Sequence, residues 1–151
     1  MVPRVLVLQE KTKNIANIEA SLPDCELIFV RTIQEAIPLL RDDLHLIISA
    51  VHLEYDGSVF DFLKLAKGSP ATSRIPFVFY CSLSSLFARS VRDGLQIAAR
   101  ALGADKYITM ETFALDHLRA EFLEFLPNLK AVPAVNLAIP RSKEANDGEW
   151  D

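Results

Sequence analysis

The side chains able to do chemistry in this 151-residue chain gather just beyond short apolar runs. Gln9 and Glu10 follow Val5-Leu6-Val7-Leu8. Ser49 and Ala50 end the run begun by Leu46-Ile47-Ile48, with His52 and Asp56 a few residues on. Cys81 and Ser82 follow Phe77-Val78-Phe79-Tyr80, and Met110 and Glu111 follow Tyr107-Ile108-Thr109. A glutamate at such a place can hold a cation or stand as a fixed negative charge, and a thiol there can be redox-sensitive. Each has a plainer reading, Glu10 as a solvated loop residue and Cys81 as a small buried hydrophobe. Cys25 starts a strand and reads as packing. His45, His52 and His117 lack metal-ligand spacing, so no zinc site is expected. Ser49 with His52 has no glycine elbow and no third partner, so it is not a triad. Asp56-Gly57 reads as turn chemistry. No metal and no cofactor is expected.

The apolar runs are the elements that must position these residues. Strands are expected at 5–8, 27–30, 46–49, 77–80 and 107–109. Between them lie helical patterns at 12–22, 32–40, 59–66, 84–102 and 113–126. Thr32 with Glu35 three residues on reads as a capping box, and Pro38 should kink or shorten the helix it caps. Gly103 ends the fourth helix, and Gly94 inside it marks a place where it could break. Strands apolar on both faces, alternating with helices, form a parallel sheet sandwiched by helices and joined by right-handed crossovers. Residues 1–127 make one domain, and 128–151, ending in "KEANDGEWD", read as a partly ordered or flexible extension. Trp150 among those acids could be a docking anchor or part of a spacer.

Composition narrows the function classes. Half the residues are hydrophobic and the formal charge is −4, which argues against a nucleic-acid or anionic-membrane footprint. No stretch approaches the ~20 apolar residues of a membrane-spanning helix. No small-residue cleavage site follows the N-terminal apolar run, and two cysteines fit a reducing compartment, so a cytoplasmic protein is expected.

The stretches "HLIISAVHLEYDG", "RIPFVFYCS" and "ALGADKYITMETF" resemble the response-regulator receiver domain over about residues 2–126. The resemblance implies a flavodoxin-like α/β fold, a doubly wound five-stranded parallel sheet of strand order 2-1-3-4-5. It also implies a site at the carboxyl ends of strands 1, 3, 4 and 5. In that family two acids after strand 1 hold Mg²⁺ and an aspartate ending strand 3 accepts a phosphoryl group. A hydroxyl residue ending strand 4 and a lysine ending strand 5 bind the phosphoryl oxygens, and a proline follows the lysine.

Here the acids fall on Gln9 and Glu10, the phosphoacceptor on Ala50, the hydroxyl residue on Cys81, the lysine on Met110 and the proline on Glu111. The loop "HLEYDG" is a residue short, so a register placing the phosphoacceptor on Ser49 is also open. Neither residue can form an aspartyl phosphate, and one glutamate is a poor Mg²⁺ site.

The resemblance therefore implies a non-enzymatic pseudo-receiver. It would act by contact with a protein partner, or as a homodimer, through the face of helix 4, strand 5 and helix 5. Tyr107 belongs to that face, and Leu86 and Phe87, in a longer stretch after strand 4, are further contact candidates. The alternative is a small-molecule or redox sensor using the vacated acidic pocket around Gln9, Glu10, Ala50, Cys81 and Met110.

Overall fold

The structure is a computed structural model and describes residues 2–54, 58–82 and 86–130, without the side chains of 86–92. Five parallel strands, β1 (Arg4–Leu8), β2 (Glu26–Val30), β3 (Leu46–Ser49), β4 (Phe77–Cys81) and β5 (Lys106–Thr109), form one sheet of order β2-β1-β3-β4-β5. The helices are α1 (Thr12–Ser21), α2 (Ile33–Ala36), α3 (Val59–Gly68), α4 (Leu86–Ala101) and α5 (Leu115–Leu123). This is the flavodoxin-like, doubly wound arrangement that the alternation predicts.

The sheet is buried on both sides because both faces of its strands are apolar. Leu6, Leu8, Ile47, Phe77 and Phe79 pack with Ala36 of α2, Phe62, Leu63 and Ala66 of α3, and Ala99 of α4. Val5, Val7, Ile48, Val78, Tyr80 and Ile108 pack with Ile18 of α1 and Leu118 and Phe122 of α5. Burying one such aliphatic or aromatic side chain is worth roughly 1.5–3 kcal/mol, so the paired layers carry most of the stability.

Local chemistry sets the element ends. Glu35 N–H donates to the Thr32 hydroxyl at 3.1 Å, and the Glu35 carboxylate accepts from the N–H of Arg31 at 3.0 Å, a capping box displaced by one residue. Pro38 shortens this helix as expected: α2 stops at Ala36 and continues only as a 3₁₀ turn, Ile37–Leu39. The break allowed at Gly94 does not occur, since α4 runs unbroken from Leu86 to Ala101. One solvent-facing glycine costs about 1 kcal/mol, too little to split a sixteen-residue helix anchored at Ala99.

The turn "GAD" is explained by its geometry. Gly103 has φ +104°, and its N–H donates to the Arg100 carbonyl, closing α4. Asp105 then exchanges two bonds with Phe77: its N–H donates to the Phe77 carbonyl, and its carboxylate accepts the Phe77 N–H, both at 2.8 Å. The same carboxylate takes the ammonium of Lys67 at 3.1 Å, and Lys67 also donates to the Ile75 carbonyl at 2.8 Å. These residues fix the corner from which β5 starts.

Candidate functional site

Parallel pairing brings Gln9, Ala50, Cys81 and Met110, four of the five residues of the expected pocket, to the carboxyl ends of neighbouring strands. Leu8 stands opposite Ser49, and the Ala50 N–H donates to the Leu8 carbonyl at 2.7 Å. Cys81 stands opposite Thr109, and the Met110 N–H donates to the Cys81 carbonyl at 3.1 Å. Gln9 bridges the two halves, its amide donating to the Tyr80 carbonyl at 3.3 Å. Its oxygen accepts from the Asn14 amide, and Asn17 of the same helix donates to the Tyr80 hydroxyl at 3.0 Å. A carboxylate in place of the Gln9 amide would face the Tyr80 carbonyl acceptor to acceptor, so the neutral amide is the side chain that satisfies this position.

Glu10 is not merely solvated. Its carboxylate accepts the Glu54 N–H at 2.8 Å, and its carbonyl accepts from Arg31 at 2.7 Å. It ties the loop after β1 to the loop after β3. Ala50 is 6 % exposed and belongs to the apolar cluster with Leu8, Leu53 and Val59. Met110 packs with Ile108 and Leu118, where a lysine would lose its solvation. In the alternative register Ser49 offers nothing more, because its hydroxyl is buried and donates to the Ala50 carbonyl at 2.9 Å. Among the described residues no group of three or more His, Cys, Asp and Glu side chains could hold a metal ion.

The position of Cys81 speaks against a redox role. Its S–H donates weakly to the Ser82 carbonyl, and burial pushes its thiol up from the ordinary value. Cys25 is pushed up to about 11, first by burial and then by the neighbouring Asp24 carboxylate. The thiolate is the reactive species. Iodoacetamide labelling followed by intact mass is expected to be slower at both cysteines than at free cysteine at pH 7. The rate at both should rise with pH and still be climbing where that of free cysteine has levelled off. Labelling of Cys81 at neutral pH as fast as free cysteine would revive the redox-sensor reading.

The face expected to meet a partner lies partly within the described residues. A cleft of about 260 Å³ lies between α4, β5 and α5, lined by Gln96 and Arg100, by Asp105, Lys106 and Tyr107, and by Glu124. Tyr107 is half-buried, its ring 6.0 Å from that of Phe79. Ile97, on the same helix as Gln96 and Arg100, is 70 % exposed. The side chains of Leu86 and Phe87 lie outside the described residues, as do residues 131–151 with Trp150.

One polar assembly escapes a reading of motifs. Arg119, wholly buried on α5, donates to both oxygens of Asp24 at 2.9 Å, to the Ser21 carbonyl at 3.1 Å, and through Nε and Nη2 to the Lys130 carbonyl. Its bond to Asp24 holds that carboxyl below the usual carboxylate range. The sequence signal is an arginine on the inward stripe of α5, four residues after Leu115 and three before Phe122.

The chain matches no family model, and no curated protein matches it. Solved structures do resemble it. The phosphorylated cyanobacterial phytochrome response regulator RcpA aligns with a TM-score of 0.66 at 18 % identity, over 86 % of this chain and 98 % of that one. The receiver domain of a signal transduction histidine kinase from Syntrophus aciditrophicus aligns at 0.65 and 22 %, over 91 % and 100 %. The chemotaxis protein CheY4 of Vibrio cholerae aligns at 0.65 and 16 %, over 83 % and 99 %. The fold is therefore that of response-regulator receiver domains. No described helix is long and apolar enough to cross a membrane.

Proposed function

We propose that the chain is a non-catalytic pseudo-receiver, a signalling module that accepts no phosphoryl group at its sheet end and acts through protein contact. The observation that carries this is the packing of that end. Ala50 occupies the place of the phosphoacceptor within an apolar cluster, and Met110 occupies the place of the lysine within another. Neither can bond to or neutralise a phosphoryl group, a task that needs placed charge. The likeness to the receiver domains RcpA and CheY4 supports the signalling class.

The contact face is that of α4, β5 and α5, where Tyr107, Arg100 and the exposed Ile97 give an aromatic, a cation and an apolar group near one cleft. The sensor alternative needs an opening at the sheet end, and the buried Gln9, Ala50 and Met110 count against it.

The test is incubation with Mg²⁺ and acetyl phosphate, read by intact mass. The expected result is an unchanged mass, and one added phosphoryl group would overturn the reading. For the face, Tyr107→Arg is expected to abolish binding of a purified partner, or self-association, that the wild-type chain shows. Binding and sedimentation unchanged by this substitution would remove the face from the proposal.

A further inference from the structure

We infer that the outer edge of β2 pairs with β2 of a second copy of this chain, antiparallel about a two-fold axis at Ile28. This interface lies at the opposite edge of the sheet from Tyr107 and goes beyond the contact face proposed above. Among the described residues nothing pairs with the outer side of β2. Leu27, Ile28 and Phe29 are only half-buried, although every residue of β3 is buried. Sheet edges are normally guarded by charge, proline or a covering element. The other edge has such a guard, since Lys106 of β5 is held by Glu121 and Glu124. On β2 the only charged residue is Glu26, at the first position. The helix packed beside it, α2, gives four residues before the turn at Pro38, and Ile37 just after it is 45 % exposed.

The hydrogen-bonding groups of the edge point to its occupant. The Glu26 N–H donates to the Pro3 carbonyl, and the Val30 carbonyl accepts the Gln9 N–H, both on the β1 side. Alternation therefore turns the backbone groups of Leu27 and Phe29 outward. A two-fold axis at Ile28 sets Leu27 of one copy against Phe29 of the other, twice over. Each such pair exchanges two N–H···O bonds, and Ile28 meets Ile28 at the close, non-bonded position between them, about 4.5 Å apart at Cα. The edge is thus complementary to itself, as an isologous interface requires.

The flanking residues fix the register. Moving the axis to Leu27 would set Phe29 against Cys25, whose N–H already donates to the Leu22 carbonyl. Moving it to Phe29 would set Leu27 against Arg31, whose N–H already donates to the Glu35 carboxylate. With the axis at Ile28 both of these stay outside the new bonds. Charge agrees with this choice. The exposed Arg31 of one copy stands across from Cys25 of the other, which is flanked by Asp24 and Glu26.

Sedimentation of the full chain tests the pairing together with hydrogen exchange. Wild type is expected to sediment at twice the mass of one chain when concentrated and as a monomer on dilution. The Leu27 and Phe29 amides are expected to exchange at least about tenfold more slowly in the dimer than in the dilute chain. Ile28→Lys and Ile28→Glu each place like charges face to face across the axis, so each alone is expected to stay monomeric. Their equimolar mixture is expected to recover the dimer. Leu27→Pro removes one outward N–H and no bond to β1, and is expected to weaken association without added charge. In Tyr107→Arg the β2 dimer should persist while any association through α4, β5 and α5 is lost, so the two interfaces fail separately. A wild-type chain that is monomeric even at about 1 mM would overturn the inference. So would amides of Leu27 and Phe29 that are protected equally at every concentration, or a dimer unaffected by all three β2 substitutions.

Discussion

Arg119→Met is expected to cost about 3 kcal/mol of stability, measured as a shift of the urea midpoint at unchanged slope. The side chain is wholly buried, and its guanidinium donates to the Asp24 carboxylate and to the Ser21 and Lys130 carbonyls. Methionine fills similar space but leaves the Asp24 carboxylate and two carbonyls without their partner. Because Asp24 keeps a third of its side-chain surface in water, the loss is smaller than for a fully sealed pair.

The effect should depend on pH in a defined direction. Asp24 is depressed in the folded state, so its pairing stabilises the fold above the unfolded carboxyl value. That stabilisation is lost as the pH falls through the folded one. The penalty of the substitution should therefore shrink in acid. A variant within a few tenths of a kcal/mol of wild type at pH 7 would show that the clamp is incidental to stability.

Ala50→Asp tests the sheet end from the opposite side. A carboxylate at the position proposed for the phosphoacceptor is expected to destabilise by roughly 2–4 kcal/mol at pH 7, because the position is closed and apolar. Burial raises the folded pKa of the new acid above its unfolded value near ~4, so the folded state holds the proton more tightly. The penalty is then small below that value and grows as the pH rises. Urea unfolding of variant and wild type in parallel at two pH values measures it. The variant is also expected to take up no phosphoryl group from acetyl phosphate, since Gln9 and Met110 supply neither metal ligand nor cation. Wild-type stability at neutral pH, or stoichiometric phosphorylation, would mean that the site is intact beneath one substitution.

The strands were legible because two-sided burial writes itself as unbroken apolar runs, as in Leu46-Ile47-Ile48. Element ends were legible where a single residue dictates geometry: Pro38 ends α2, and Gly103 closes α4. Gly94 misled because propensity is a local cost, whereas a helix is held by its packing. At the carboxyl end of the sheet, the residue types could be read from the sequence alone. Their bonds could not. That Gln9 bonds a carbonyl two strands away, and that Glu10 holds a loop, depend on pairings between residues 44 or more positions apart. The Arg119 clamp joins positions 95 apart and is invisible to any periodicity.

Several ion pairs of the described residues lie near the starts of strands. Arg4 meets Glu26 and Asp43, Arg119 meets Asp24, Lys67 meets Asp105, and Lys106 meets Glu121 and Glu124. In each of these pairs at least one partner stands where a strand begins, whereas Gln9, Ala50 and Met110 close the other end of the sheet with buried uncharged side chains. Added electrolyte screens the pairs and leaves the contacts of those three residues nearly untouched, so ionic strength acts unevenly along the strands of this protein.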